Sequence, residues 1–446
     1  MSNFLNKAFG LDPAQHKVRT EIVAGITTFL TMAYILAVNP SIFGALDGMP
    51  GGSVFTATAL AAIIGTLVMA FYAKKPFALA PGMGLNAFFV YTVCLTMGYS
   101  WQFALTAVLL EGIIFIILTL TKVRTWLLNA IPGTLKKAIG AGIGLFIAFI
   151  GLQNSGIIVN SDSTLVTLGK ITQGTALVAM LGIMITAGLV MLKVRGGILI
   201  GILITTLIGL VIKDPATGMA VTQLAHNDAG ALQLVSMPHS VAPIFCKFEF
   251  SQILSWDMLV VVFTFLFVDM FDTMGTIIGV HQGAGLVERD EVEGMEQMFM
   301  ADSIATVCGA CLGTSTTTTY VESAAGVGEG GRTGLTAFST AICFALALFF
   351  SPIFLSIPSA ATAPALFIVG VMMMPSVKRI HWEDYCKSIP AFMTIIMMPV
   401  AYSISDGILI GVIAYVATHA ISGRFKEISI PMWVLAVLFI LRYIFI

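Results

Sequence analysis

Long apolar runs alternate with short polar segments along almost the whole chain. Twelve uninterrupted runs approach the roughly 20 residues that a helix needs to cross a bilayer. They fall at 22–43, 55–73, 101–121, 138–158, 174–192, 196–213, 256–280, 298–312, 334–357, 360–377, 389–403 and 405–422. Two further segments, 78–98 and 312–333, are interrupted by glycines and polar residues. The pattern predicts an all-α polytopic membrane protein with about 14 transmembrane segments. A last run, 430–446, contains Arg442 and either crosses the membrane or lies in the membrane–water interface.

The composition supports a lipid environment and excludes several functions. Of the 446 residues, 58% are hydrophobic and 10% are charged, against about 25% charged in soluble proteins. The net charge of −1 and the lack of a basic stripe argue against nucleic acid. No two of the six histidines have metal-ligand spacing with a third partner, and no GxxxxGK[ST] motif is present. We therefore expect no metal, no cofactor and no coupling to ATP hydrolysis within this chain.

Positive charges indicate how the segments are oriented. If the N-terminus is cytoplasmic, 18 of the 22 lysines and arginines lie inside. Three, Lys170, Lys213 and Lys247, lie outside, and Arg442 is unassigned. This split agrees with the positive-inside bias, and it predicts a multi-pass protein of the cytoplasmic (inner) membrane. The inside set is Lys7, Lys17, Arg19, Lys74, Lys75, Lys122, Arg124, Lys136, Lys137, Lys193, Arg195, Arg289, Arg332, Lys378, Arg379, Lys387, Arg424 and Lys426.

Short sequence words repeat in the same order in the two halves of the chain. Thr-Phe-Leu occurs at 28–30 and 264–266, and GILIG at 197–201 and 407–411. Asn86 and Glu322, in the two interrupted segments, stand at the same offset of 236 residues as the Thr-Phe-Leu pair. These matches predict two copies of seven segments, 16–235 and 236–446. Because seven is odd, the second copy is inverted. Inverted repeats with broken helices at matching places are typical of secondary transporters, whose site lies at the midplane.

The interrupted segment 312–333 contains the densest polar sequence within the apolar part of the chain. Five hydroxyl residues at 315–319 are followed by Tyr320, Glu322, a glycine-rich stretch and Arg332. Hydroxyl clusters compete for backbone hydrogen bonds and favour helix starts. We therefore predict an extended piece at 315–319 and a half-helix starting close to Tyr320. Such a break is tolerated at membrane depth only where protein or a water-filled cavity surrounds it, so Glu322 is a candidate functional residue.

Other acids lie within the apolar runs and are candidates for substrate or proton binding: Glu111, Asp269, Asp272 and Asp406. The i, i+3 spacing of Asp269 and Asp272 places both on one helix face. Because like charges disfavour ionisation, one of the pair is expected to hold a proton near neutral pH. A purely structural hydrogen bond to a hydroxyl or to a broken backbone is the alternative for this pair and for Glu322. For Glu111 and Asp406, helix packing or a position near the interface is the stronger interpretation.

The first interrupted segment combines an amide with aromatic rings. Asn86 is followed by Phe88 and Phe89, and Gly82 and Gly84 precede it. Glycines let a backbone approach a ligand closely. An amide beside two aromatics suits a flat polar ring, which would stack and be hydrogen-bonded at its edge. The alternative for the two phenylalanines is that they face lipid or the protein core.

Three stretches, APGMGLNAFF, FVDMFDTMGT and GTSTTTTYVESAAGVGEGGRTG, resemble those of the nucleobase:cation symporter-2 family, also called nucleobase–ascorbate transporters. Within it they resemble the adenine, guanine and hypoxanthine permease branch, and the resemblance runs over nearly the whole chain. It implies the uracil-permease fold, with 14 segments in a 7+7 inverted repeat, proton symport and a homodimer. It also implies a core domain at approximately 20–122 and 256–357 and a gate domain at approximately 136–213 and 360–446.

In this family the substrate-binding acids lie on the eighth and tenth segments. Glu322 matches the tenth-segment acid. The eighth-segment acid is usually Glu in the uracil and xanthine branches, whereas this chain offers Asp269 or Asp272, and the sequence leaves the choice open. Ser323 follows Glu322, so the Gln/Glu-Asn pair of the xanthine branch is absent. Both departures favour the purine permease branch.

The sequence thus predicts a proton-coupled importer of adenine, guanine or hypoxanthine and not an enzyme. Its alternatives are a permease of the same fold for uracil, xanthine or an inorganic anion, and a channel. An anion site favours positive charge or bare helix N-termini, whereas carboxylates crowd the expected site here. An enzyme needs a nucleophile–base pair or a metal set, and neither pattern is found. The predicted substrate-binding residues are Asn86, Phe88, Phe89, Asp269, Asp272, Thr273, Thr319, Tyr320, Glu322 and Ser323, with Asp269, Asp272 and Glu322 also carrying the proton.

Overall fold

The computed structural model describes residues 2–12, 14–121, 132–215, 217–224, 233–283 and 294–445. Each of the 14 predicted segments corresponds to one helix, to two consecutive helices, or to a strand followed by a helix within these ranges. Lys122, Arg124 and Arg289, which entered the charge argument, lie outside the described residues. Nine of the described helices are long and apolar enough to span a membrane, and four shorter apolar helices accompany them.

The first half of the chain contains the first seven segments. A short helix α1 precedes them, and a β-hairpin of strands β2 and β3 separates α7 from α8. The elements are α1 (Ser2–Phe9), α2 (Val18–Met32), α3 (Ile35–Phe43), α4 (Gly51–Val68), β1 (Leu79–Pro81), α5 (Met83–Ala87), α6 (Trp101–Leu120), α7 (Gly133–Asn154), β2 (Ile158–Ser161), β3 (Leu165–Leu168), α8 (Gly174–Met191) and α9 (Gly197–Val211). Helix α4 continues as a π-helix over Met69–Ala73, and α5 continues as one over Phe88–Thr96.

The second half repeats this order of elements. It contains α10 (Trp256–Gly283), α11 (Met295–Leu312), β4 (Thr317–Thr319), α12 (Ser323–Gly328), α13 (Gly334–Ala347), α14 (Ser351–Leu355), α15 (Ser359–Met373), α16 (Tyr385–Val400), α17 (Ile404–Ile421) and α18 (Ile430–Phe445). The last apolar run is therefore helical, and α18 packs against α17. Both halves contain a strand followed by a short helix in the position that the sequence predicted for a broken segment.

The two broken segments meet each other through their strands. Strand β1 pairs antiparallel with β4, with Leu79 opposite Thr319 and Pro81 opposite Thr317. The Gly82 N–H also donates to the Thr316 carbonyl at 3.0 Å. Each strand thus satisfies backbone groups that would otherwise be costly at membrane depth. The strands stand 238 residues apart, two more than the offset of 236 that the sequence indicated, so Asn86 and Glu322 do not occupy equivalent positions.

Helix packing follows two groups of elements. In one group α2 packs against α12 and α13, α4 against α11 and α13, and α6 against α10 and α11. In the other group α7 packs against α15 and α16, α8 against α9 and α15, and α16 against α17. Glycine permits some of these contacts: a Cβ at Gly25 would lie 2.5 Å from the Ser339 Cβ and still closer to the Thr336 carbonyl oxygen. The paired strands β1 and β4 belong to the first group, in contact with α4 and α11.

Candidate functional site

The hydroxyl run before Glu322 ties five different helical elements to the break. Its side chains at 314–319 are all buried, and five of the six bind side chains elsewhere. The pairs are Thr314 with Asn39 (3.1 Å), Ser315 with Asn86, Thr316 with Glu111 (2.6 Å), Thr318 with Thr273 (2.6 Å) and Thr319 with Asp302 (3.3 Å). The polar sequence is therefore tolerated because five of these six hydroxyls have a partner within the protein.

Asp302, on α11, is a central member of this network. It is fully buried, and one of its carboxylate oxygens accepts the Thr319 N–H at 3.1 Å and the Thr273 hydroxyl at 2.9 Å. Asp302 thereby connects strand β4 to helix α10. Sequence reasoning did not identify this residue. The available signal was an acid only four residues inside the apolar run 298–312.

Glu322 lies in the turn between β4 and α12, where it is 8% exposed. One of its carboxylate oxygens accepts a hydrogen bond from the Tyr34 hydroxyl. The Thr31 hydroxyl donates to the Glu322 carbonyl at 3.4 Å. Tyr34 is fully buried at the junction of α2 and α3, and sequence reasoning did not identify it either. The one sequence signal for Tyr34 as a site residue was its position inside the first predicted membrane segment.

The two eighth-segment acids face different partners. Asp269 is fully buried, and the Thr273 hydroxyl lies 3.4 Å from its carboxylate. Asp272 is partly exposed and lies within electrostatic range of both Asp269 and Glu322. Asp269 is therefore the buried acid of the pair, in the network around Thr273, and Asp272 is the more exposed one.

Tyr320 and Ser323 hold the two broken segments together. The Tyr320 hydroxyl donates to the Pro81 carbonyl at 2.6 Å, and its N–H donates to the Ala78 carbonyl at 3.0 Å. The Ser323 hydroxyl accepts the Ala78 N–H at 3.1 Å. These contacts extend the β1–β4 pairing and fix the position at which α12 begins.

Asn86 and the two phenylalanines after it are fully buried. Asn86 accepts from Ser315 and donates to the Pro81 carbonyl at 3.4 Å. The Phe88 ring centroid lies 4.8 Å from that of Phe265, and the Phe89 centroid lies 5.0 Å from that of Phe43. In this conformation the two rings are packed in the interior, and Asn86 supports the strand beside them.

The remaining intramembrane acids take different positions. Glu111 is fully buried and accepts from Thr316, so it belongs to the scaffold of the break. Asp406 lies in the first turn of α17 and accepts from the Tyr443 hydroxyl at 2.8 Å. Glu21, which the sequence did not bring forward, accepts the N–H groups of Arg332 and Thr333 at 3.0 and 3.1 Å. Its negative charge suits the N-terminus of α13.

Together these contacts define the class of protein. Two broken membrane segments from the two halves of the chain meet at a buried set of carboxylates and hydroxyls, which is the arrangement of a secondary transporter. Within the described residues no group of three or more His, Cys, Asp or Glu could hold a metal ion.

Comparison with known proteins assigns the family. Residues 19–430 match the Permease family, and the chain belongs to it, the nucleobase:cation symporter-2 family that its motifs resemble. It is 45% identical over 98% of its length to the guanine/hypoxanthine permease PbuG of Bacillus subtilis, 99% of which is covered. It is 40% identical over 99% of its length to the adenine permease AdeP of Escherichia coli, with 96% of that protein covered. The chain is thus a permease and not an enzyme.

A solved structure supports the fold independently. The transmembrane domain of the cyanobacterium bicarbonate transporter BicA matches with a TM-score of 0.65 at 16% identity, covering 88% of this chain and 97% of that one. The predicted fold class, an all-α membrane protein with a 7+7 inverted repeat, is confirmed. At this identity the match concerns the fold alone.

Proposed function

We propose that this permease imports purine nucleobases across the cytoplasmic membrane by proton-coupled alternating access. The observation that carries the proposal is the placement of Glu322 and Asp272 beside the β1–β4 break, within electrostatic range of each other. Full-length relatives named as guanine/hypoxanthine and adenine permeases support the substrate class. A neutral purine offers ring and exocyclic N–H donors, and carboxylates accept such donors well.

In this proposal the substrate lies between Glu322 and Asp272. Asp272 takes the substrate-facing role on the eighth segment because it is partly exposed, whereas Asp269 is buried. The other residues of the proposed site hold or border the break. These residues are Asn86, Phe88, Phe89, Thr273, Thr319, Tyr320 and Ser323. Phe88 and Phe89 would contact the substrate ring only after their packing in the interior rearranges.

The coupled proton is assigned to the cluster of Asp269, Asp272 and Glu322. Placing several carboxylates close together away from water is unfavourable when all are charged. A proton held by one of them removes repulsion while leaving the others as acceptors. The loaded site would then carry a neutral substrate together with that proton, and release of both to the cytoplasm would complete import.

Movement of one helix group against the other provides the alternating access. The core comprises approximately 20–122 and 256–357, and the gate approximately 136–213 and 360–446. The packing of α2, α4, α6, α11 and α13 with one another, and of α7, α8, α15, α16 and α17 with one another, supports this division. We further propose a cytoplasmic N-terminus, supported by the distribution of Lys and Arg, and a homodimer, on the basis of the family alone.

The direct test is uptake of labelled adenine, guanine and hypoxanthine into cells that lack their own purine carriers, with and without a protonophore. We expect uptake of at least one purine and its collapse when the protonophore is added. Uptake at the same rate with and without the protonophore would contradict proton coupling and favour a channel. No purine uptake, with the protein shown to be in the membrane, would contradict the substrate class and direct attention to uracil, xanthine and inorganic anions.

Neutral substitutions of the acids test the site. Glu322→Gln and Asp269→Asn should lose purine uptake while reaching the membrane at normal levels, because each removes a charge without removing volume. Asp406→Asn is the matched control, since Asp406 binds Tyr443 on α18 and lies outside the proposed site. Normal uptake in both site variants would refute the assignment.

A further inference from the structure

The segment that leads into α10 lies across the ends of several helices of the proposed core. We define residues 236–249 of this segment as the outer strap. Hydrogen bonds tie the outer strap to α4, to α6 and to the chain just before α14. They join the Ser236 N–H to the Phe349 carbonyl (3.0 Å), the Ser53 hydroxyl to the Ser240 carbonyl (2.8 Å) and the Glu249 N–H to the Thr106 hydroxyl (2.8 Å).

Two cysteines meet where the outer strap passes the end of α11. The Cys246 N–H donates to the Cys311 carbonyl at 2.8 Å. Just past the end of α11, a Cβ added at Gly313 would lie 2.7 Å from the Ile244 Cβ, and Ile244 is fully buried. The outer strap therefore runs antiparallel to the end of α11, with Ile244 opposite Gly313 and Cys246 opposite Cys311.

The two thiols are close enough to be joined covalently. Opposed residues of antiparallel segments that share a backbone hydrogen bond have Cα atoms about 5.5 Å apart, within the roughly 4.4–6.8 Å that a disulfide spans. The Cys311 thiol also lies within hydrogen-bonding reach of the Cys246 thiol. Cys308, three residues earlier in α11, is a poorer partner for Cys311. Cβ atoms at this helical spacing stand about 5–6 Å apart, whereas a disulfide needs about 3.8 Å.

We propose that Cys246 and Cys311 form a disulfide site, at which oxidation by a low-molecular-weight disulfide fastens the outer strap to α11. Cys246 is exposed and Cys311 is partly buried, so the Cys246 thiolate attacks the oxidant first. This attack releases one thiol and leaves a mixed disulfide on Cys246. The Cys311 thiolate then attacks the Cys246 sulfur and releases the second thiol. The oxidant thereby takes up the two electrons and two protons that the cysteine pair loses.

The position of the pair determines what the disulfide does. The proposed orientation, on which this step rests, places the outer strap on the external side of the membrane, where disulfides persist. The strap binds α4, α6 and α11, which all belong to the proposed core. The disulfide therefore joins parts that move together, and we expect it to stabilise the fold without preventing transport.

The experiment treats the purified full-length protein in detergent with oxidised glutathione, digests it without reduction and identifies linked peptides by mass spectrometry. We expect a Cys246–Cys311 link in the wild type and in Cys308→Ser, the matched control from the same helix. Cys311→Ser should instead retain a glutathione adduct on Cys246, because the thiol that displaces glutathione is missing.

Thermal unfolding measures whether the link fastens the strap. Oxidation should raise the melting temperature of the wild type by roughly 5 °C, because a disulfide restricts the unfolded chain. A dithiol reductant should reverse the shift, and Cys246→Ser should show none. Purine uptake into liposomes should be equal for the oxidised and the reduced wild type.

The wild-type peptides decide the inference even if a variant fails to fold. A glutathione adduct on Cys246 without the link, a link that involves Cys308, or no reaction at Cys246 overturns it. Equal melting temperatures of the oxidised and reduced wild type overturn the fastening role, and loss of uptake on oxidation overturns the placement of the strap in the core. Absence of uptake by both forms refutes the proposed function and leaves the disulfide site standing.

Discussion

At the residue scale, the strand before Glu322 shows how a polar run is made compatible with a membrane interior. Thr316 and Thr317 are adjacent and equally buried. The Thr316 hydroxyl donates to Glu111 at 2.6 Å, whereas the Thr317 hydroxyl has no hydrogen-bond partner in the part of the chain that the structure describes. The two positions therefore differ in what the hydroxyl does and not in its burial.

This difference predicts unequal effects of an isosteric change. Thr316→Val should lower the free energy of unfolding by about 1–3 kcal/mol, because a buried carboxylate loses a donor. Thr317→Val should change it by less than about 1 kcal/mol, because no bond is lost. Thermal unfolding of the purified variants in detergent gives the comparison. Equal losses in both variants would show that the strand, and not the Glu111 bond, sets the stability.

At the element scale, the short helix α12 is positioned by its close approach to α2. A Cβ added at Gly326 would overlap the Thr28 hydroxyl and lie 2.6 Å from the Ala24 carbonyl oxygen. Because backbone cannot yield as a flexible side chain does, the two helices would have to separate. Glu322 begins the same short helix, so the separation would also displace its carboxylate from Tyr34.

Alanine substitutions at two glycines of α12 are therefore expected to have different effects on uptake and stability. Gly326→Ala should reduce purine uptake by at least tenfold and lower thermal stability, because it moves the helix that carries Glu322. Gly328→Ala should leave both close to wild type, since nothing lies within 4 Å of its added Cβ. Uptake normalised to the amount of protein in the membrane separates transport from expression. A Gly326→Ala variant with full uptake would show that α12 can shift without loss of function.

At the scale of the whole molecule, an ion pair joins the proposed gate to the proposed core. Arg195, between α8 and α9, lies 2.5 Å from Glu329 at the end of α12, and the arginine side chain is 62% exposed. An exposed pair contributes at most about 1 kcal/mol to stability. Its importance would instead lie in holding one conformation of the two groups of helices.

A charge exchange tests this contact. Arg195→Glu should slow purine uptake several-fold, because it places two negative charges at the junction. Adding Glu329→Arg should restore uptake to within about twofold of wild type, while thermal stability changes by less than about 1 kcal/mol throughout. Initial uptake rates of the single and double variants provide the measurement. A double variant as slow as Arg195→Glu would exclude the pair from the transport cycle.

The orientation in the membrane is a second property of the whole molecule. Cys246 is exposed and precedes Lys247, one of the three cations expected outside, whereas Cys386 precedes Lys387, one of the cations expected inside. In variants that keep one cysteine each, a membrane-impermeant maleimide should label Cys246 in intact cells and Cys386 only after permeabilisation. A variant with no cysteine controls for background. The reverse labelling pattern would invert the proposed topology.

Much of this protein is determined by the sequence alone. Apolar runs of membrane length require helices because no water is present to satisfy the backbone, and 14 such segments were found where they were predicted. The hydroxyl and glycine runs at 78–98 and 312–333 predicted the two breaks because such residues disfavour continuous helix. The motifs of these breaks also indicated the family.

Only the tertiary structure decided which side chains meet. Tyr34, Asp302 and Glu21 gave weak signals because a lone polar residue in an apolar run does not reveal its partner. Their partners are Glu322, Thr319 and Arg332, which lie 288, 17 and 311 residues away along the chain, respectively. Packing of distant segments also brought Asp272 within electrostatic range of Glu322 and the Thr273 hydroxyl within hydrogen-bond distance of Asp302. Periodicity places residues on a helix face, and the neighbouring helices determine what that face contacts.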